Sequence, residues 1–202
     1  MTYEIKKNYN YSEEELKLFN CMGYAFGVEL MMNPATTLYV LEWMDEMYNI
    51  FNTNSLEVPD EISDWVADDC EDCLCDCYPG LELIKNPESV PEDKELISFK
   101  FAVNSLTNPS DYNFHFKVRR NGTWSEKLGD EEIRECELLP DESWDSRDFQ
   151  NGVWSSVRYF AWKEELSRED INKVIIEQID NRAVFSLHEK NRREGYDLQL
   201  HF

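Results

Sequence analysis

The stretch FNCMGYAFGV places an asparagine directly before a cysteine, and that pairing can do chemistry. Asparagine is a favoured N-cap, which makes Cys21 the first residue of a helix. A thiol at a helix N-terminus beside a histidine is well placed to act as a nucleophile, because the dipole and an imidazolium both stabilise the thiolate. Cysteine is also among the most buried residue types and packs as a small hydrophobe, so the pairing alone fits a core position as well.

A base to serve such a thiol is offered by His115 in DYNFHFKV, one of three histidines and the one centred in an alternating segment. The dipeptide Asn121-Gly122 between FKVRR and TWSEK predicts a two-residue hairpin turn, since both positions tolerate positive φ. That turn sets Arg120 opposite Thr123, Lys117 opposite Glu126 and His115 opposite Leu128. His115 and Glu126 then share a face as diagonal neighbours, within reach of an orienting hydrogen bond. Asp111, four residues earlier on the same strand, points to that face too and competes as the third member. A lone strand histidine serves structure as often as chemistry.

The second thiol-rich segment is DDCEDCLCDC, with Cys70, Cys73, Cys75 and Cys77 inside eight residues. Zinc is held by thiolates in tetrahedral sets, but most structural sites draw two pairs from separate loops. On one helix Cys70, Cys73 and Cys77 follow helical spacing while Cys75 points elsewhere, and the intervening acids disfavour thiolate. A helix end with partly buried thiols is the preferred reading, and a zinc cluster the alternative. The CEDC spacing lacks the βαβ surroundings and the cationic neighbour of a redox site.

The elements that must position these groups change character along the chain. From Ser12 to about Cys77 the signals are helical. SEEELKLF begins with a cap and first-turn acids, TTLYVLEWMDEMYNIF has apolar residues at helical spacing, and VPDEISDWVADDC follows a proline. From about Glu95 the period becomes two, in ELISFKFAV, NFHFKVRR and TWSEKLG. GDEEIRECELLPDESWDSRDF reads as an acidic connection and VWSSVRYFAW as one more strand. Ser167 in SRED opens a capped helix, INKVIIEQI, ahead of a terminal hairpin of AVFSLHEK and YDLQLHF, which carries His188 and His201 without evident partners. The expected class is α+β: a helical N-terminal part packed on a small antiparallel sheet over 1–165, and an α/β extension over 166–202 packed on the same domain.

Composition bounds the function. The chain has 202 residues, 42% of them hydrophobic, enough for a folded core. Its 42 acidic and 20 basic residues give a formal charge of -22, which opposes direct nucleic-acid binding. The surplus fits a solubilising surface or a decoy that imitates nucleic acid. The opening MTYEIKKNYNYSEEELK lacks a signal-peptide pattern and no stretch is long enough to span a membrane, so a cytoplasmic protein with free thiols is expected. Asn121-Gly122-Thr123 matches a glycosylation acceptor but reads as the turn.

Taken together, NCMGYAFG, ELISFKFAV, DYNFHFKVRRNGTWSEKLG and SSVRYFAW resemble successive landmarks of the papain-like cysteine hydrolases, in particular the compact bacterial and phage branch that cleaves cell-wall peptides and other amide bonds. The similarity spans about Asn20 to Trp162. It implies a papain-like fold with Cys21 as nucleophile, His115 as base, Glu126 as orienter, and an oxyanion site at the Asn20-Cys21 junction supplied by the Cys21 backbone amide. Two departures stand out: relatives often have histidine near the position of Glu126, and their base commonly lies two residues after the aspartate, where this chain has Asn113. In that second register the base is lost and the chain is a non-catalytic descendant; the one-residue shorter turn favours His115. The expected activity is cysteine-dependent hydrolysis of an amide, by a peptidase or amidase acting on a peptide or protein and needing no cofactor. The alternative is a non-catalytic acidic interaction or inhibitor protein, phage-encoded, that occupies a host protein.

Overall fold

The computed structural model describes residues 11–32, 49, 61–103, 112–129, 131–136 and 153–178. Two short helices come first. In α1, Glu13–Leu16, the backbone N–H of Glu15 donates to Ser12 Oγ (3.3 Å) and that of Ser12 donates to Glu15 Oε2 (2.8 Å), the reciprocal capping box that Ser12 foreshadowed. Helix α2, Cys21–Phe26, is buried along its whole length. Its glycine has a packing reason: a Cβ on Gly23 would fall 2.0 Å from the backbone oxygen of Leu30, so the chain returning past the helix requires the bare backbone. Helix α3, Ile62–Cys77, buries Ile62, Val66, Ala67, Cys70 and Leu74 along one face, at the three-and-four spacing that turns one stripe to a core. The expected helix in TTLYVLEWMDEMYNIF lies outside the described residues, as does the terminal hairpin with His188 and His201.

Among the described residues, seven strands form one antiparallel sheet: β1 Leu81–Leu83, β2 Leu96–Val103, β3 Tyr112–Arg120, β4 Thr123–Lys127, β5 Ile133–Cys136, β6 Val153–Trp154 and β7 Arg158–Trp162. Their order is β1-β7-β2-β3-β4-β5, with β6 also pairing β2. The class is α+β. Asn121 and Gly122 both take positive φ, 50° and 78°, and the hairpin has the register read from the sequence, Lys117 opposite Glu126 and Arg120 opposite Thr123.

Two readings need correction. The acidic run after Gly129 is not only a connection, because Ile133–Cys136 pairs with β4 as a strand. VWSSVRYFAW is not one strand either. Phe99 pairs with Arg158 but Ala102 with Trp154, so one extra residue is accommodated between β6 and β7. Ser155 repairs the ladder there. Its N–H donates to the Phe101 carbonyl (2.8 Å) and its Oγ accepts from the Phe101 N–H (3.0 Å).

The core lies between the helices and one sheet face. Phe26 of α2 meets Tyr78, Phe116 and Trp162 edge-on at 5.2, 5.9 and 5.8 Å, and Phe99 stacks on Phe116 at 4.7 Å. After β7, a helix over 168–178 starts at Ser167, whose Oγ accepts from the Asp170 N–H while Asp170 Oδ2 accepts from the Ser167 N–H, both at 3.2 Å.

Candidate active site

Helix α2 is fixed at both ends before any chemistry is considered. At its start Asn20 Oδ1 accepts from the Gly23 N–H (3.1 Å), so Asn20 is the cap and Cys21 the first helical residue, as the sequence indicated. The same amide group pairs with the Met32 backbone: Oδ1 accepts from its N–H at 3.2 Å and Nδ2 donates to its carbonyl. At the far end, Arg120 Nη2 donates to the carbonyls of Tyr24 and Ala25 and Arg168 Nη1 to that of Phe26, all at 3.1 Å. Cations here suit the negative end of the helix dipole. Both guanidinium groups also bind Glu95, Arg120 through Nε at 2.8 Å. Burial would raise the Glu95 pKa, but the two arginines outweigh it and hold the carboxyl below its usual range. On the flank, Tyr24 and Ser125 share a hydroxyl hydrogen bond of 2.6 Å that ties α2 to β4.

This bracing sets Cys21 against β3. Its Sγ lies 3.9 Å from the Phe114 carbonyl oxygen, one residue along β3 from His115, and the thiol is near enough to act on the His115 ring's charge. His115 Nε2 is engaged with Glu126 Oε2 at 2.9 Å. Of the three residues drawn together from the sequence, His115 and Glu126 are joined directly, and Cys21 packs against the strand that carries His115. Burial pulls the His115 pKa down, yet the hydrogen bonds and charges of Cys21 and Glu126 outweigh it and raise it above the ordinary histidine value.

Glu126 has more partners than the sequence indicated. Lys117 Nζ lies 3.2 Å from Oε2, and Arg134 reaches the carboxylate through Nε and Nη2, both at 2.7 Å. Burial pushes the Glu126 pKa up, but His115, Lys117 and Arg134 together lower it to about 2. At neutral pH the carboxylate is charged and held from three sides, so it can fix the ring and the proton on Nε2. Lys117 was visible as the hairpin partner of Glu126. Arg134 was not, because it sits on the strand missed in the acidic run.

Asp111, the competing third member, lies outside the described residues. Asn113, the alternative position for a base, accepts from the neighbouring Phe114 N–H at 2.8 Å. The Asn20 side chain is committed to Gly23 and Met32. Near an oxyanion that leaves the backbone N–H of Cys21, which as the first helical residue has no partner within the helix. Cys21 is 5% exposed and His115 9%, so both groups lie in an almost dry setting.

The cysteines of α3 lie in a different environment. Cys70 is fully buried, and burial, then Cys73 and Asp69, push its thiol pKa far up. Cys75 is raised as well, by burial first and then by Glu71. All four ride on one unbroken helix, and among the described residues no group of three or more His, Cys, Asp or Glu side chains is placed to hold a metal ion. Among the same residues no helix is long and apolar enough to cross a membrane. A cavity of about 420 Å³ lies away from Cys21, lined by Ile84, Val90, Lys94, Trp162 and Leu166 among others, and none of the candidate site residues borders it.

No protein family, curated protein or solved structure matches the chain. A functional reading therefore rests on the site's own geometry.

Proposed function

We propose that this protein is a cysteine-dependent amide hydrolase, a peptidase or amidase of papain-like type, with Cys21 as nucleophile, His115 as general acid and base, and Glu126 as the residue that positions the ring. The observation that carries this reading is the His115–Glu126 hydrogen bond on the strand that Cys21 packs against, with the sulfur at a capped helix start. In the first half-reaction the Cys21 proton passes to His115, and the sulfur attacks the carbonyl carbon of a peptide or protein amide. The tetrahedral oxyanion accepts from the Cys21 backbone N–H. Collapse breaks the C–N bond as His115 returns the proton to the departing amine. In the second half-reaction His115 takes a proton from water, the hydroxide attacks the thioester, and Cys21 leaves with its proton restored. Neither step calls for a metal or an organic cofactor.

A second reading draws support from the 5% exposure of Cys21 and the charge of -22. A thiol this enclosed also suits a non-catalytic acidic protein that keeps a hydrolase-like core and binds a basic partner through its surface. Alkylation separates the two. For the hydrolase, iodoacetamide modifies Cys21 at pH 6 and the rate falls by roughly 10²-fold or more in His115→Ala, read by peptide mass mapping. Modification of Cys21 only above pH 8, with no dependence on His115, favours the binding protein.

A further inference from the structure

Glu126 is surrounded by more positive charge than the fixing of one histidine requires. A carboxylate has about four lone-pair sites, and four donor atoms are set on this one: Arg134 Nε and Nη2 on Oε1, both at 2.7 Å, with His115 Nε2 at 2.9 Å and Lys117 Nζ at 3.2 Å on Oε2. The imidazole and the ammonium share a single oxygen. Strand geometry imposes this, because His115 and Lys117 stand two residues apart on β3, on one face of the sheet, and Glu126 is the cross-strand partner of Lys117 on β4.

Burial makes the sharing consequential. The Lys117 side chain is 0% exposed and that of Glu126 4%, so these charges act on one another with little screening by water. A buried carboxylate facing a histidine alone would hold the ring as an imidazolium, and a ring that keeps its proton accepts none from a thiol or from water. Lys117 and Arg134 already balance the carboxylate, and protonating His115 places a second cation on the oxygen that holds the first. Other groups bear on this centre from neighbouring elements. Lys100 of β2 stands opposite His115 in the ladder, Cys21 of α2 acts on the ring, and Cys136 of β5 lies near Glu126.

We infer that Lys117 and Arg134, acting through Glu126, set His115 to release its proton near neutral pH instead of holding it as a fixed imidazolium. As a part of catalysis this rests on the hydrolase reading and deepens it. Both are positioning residues that act on the ring through the carboxylate and take no part in the bond changes at sulfur.

The test is a proton NMR titration of the three histidines in the full chain, with the His115 signal assigned by its loss in His115→Gln. In Lys117→Met, which keeps the length of the side chain and removes its charge, the His115 pKa rises by about one unit, roughly a tenfold change in its proton equilibrium. Arg134→Met moves it the same way by less, because Arg134 is half-exposed and water screens it, and Arg134→Lys, which retains the charge, restores most of the original value. Cations that served structure alone would alter stability and leave the titration where it was. A His115 pKa that is unmoved or lowered in the folded Met variants overturns the inference. If the buried Lys117→Met does not fold, the Arg134 pair decides the matter from its half-exposed position. The hydrolase reading is judged separately by iodoacetamide at pH 6: where Cys21 stays unmodified while the Met variants still raise the His115 pKa, that reading falls and the control of the ring's charge by Lys117 and Arg134 stands.

Discussion

Helices α2 and α3 both carry cysteine, and they treat it in opposite ways. On α2 the thiol stands at the first helical position against the strand that carries His115, whose ring is itself held by a charged carboxylate. On α3 the thiols stand along the middle and end of the helix among Asp69, Glu71, Asp72 and Asp76, and two of them are driven away from ionisation by burial and by those acids. The two settings differ in which end of the helix carries sulfur and in the charge beside it. What matters is which end of the helix the sulfur occupies and the sign of the charge beside it.

The most direct way to break that contrast is to measure it. At pH 7, iodoacetamide should modify Cys21 at least about a thousandfold faster than Cys70 in the native chain, with Cys70 reacting only after denaturant is added. Equal rates would dissolve the distinction. The next largest effect concerns the carboxylate that supports the α2 side. Glu126→Ala leaves His115 and Lys117 buried without their counter-ion and should cost roughly 3–5 kcal/mol in urea unfolding. No variant of Asp72 or Asp76 on α3 should approach that.

Acid provides a third comparison. Because the Glu126 pKa is lowered from 4.5 to about 2 on folding, its contribution is complete above 4.5 and is lost as pH falls from there toward 2, amounting to about 3 kcal/mol. His115 acts in the opposite direction. Its pKa is raised from 6.5, so its contribution is full below 6.5 and disappears as pH climbs through the higher folded value. Stability measured by urea midpoint should therefore be greatest at mildly acidic pH, and Glu126→Gln should flatten the acid limb. The smallest effect is at the cap. Asn20→Ala removes the acceptor for the Gly23 N–H and should destabilise by about 1 kcal/mol, while slowing Cys21 alkylation as the helix start loosens.

The α2 side of this comparison was partly legible in the sequence because its determinants are local. Asn20 before Cys21 is a cap signal, and Asn121-Gly122 fixes a hairpin register in which a one-residue slip would have separated His115 from Glu126. The helix end with partly buried thiols was legible for the same reason, although Cys70 alone of the four is buried while Cys73, Cys75 and Cys77 are half-buried alike. Arg134 was hidden because IREC shows no alternation of its own and becomes a strand only by pairing with β4. β1 is three residues long, too short for periodicity to register. The extra residue between β6 and β7 depends on Ser155 meeting Phe101, a contact that spans 54 positions. The bracing of α2 by Arg120, Arg168 and Glu95 is a meeting of distant side chains that local pattern does not encode.

That brace also orders events in time. Arg168 reaches the Phe26 carbonyl across 142 positions of sequence, so the far end of the cysteine helix gains this anchor only after residue 168 has been made, well after the one supplied by Arg120. Contacts of such long range close late in folding. During synthesis the segment around Cys21 is held first through Arg120 and waits for Arg168 as its later anchor.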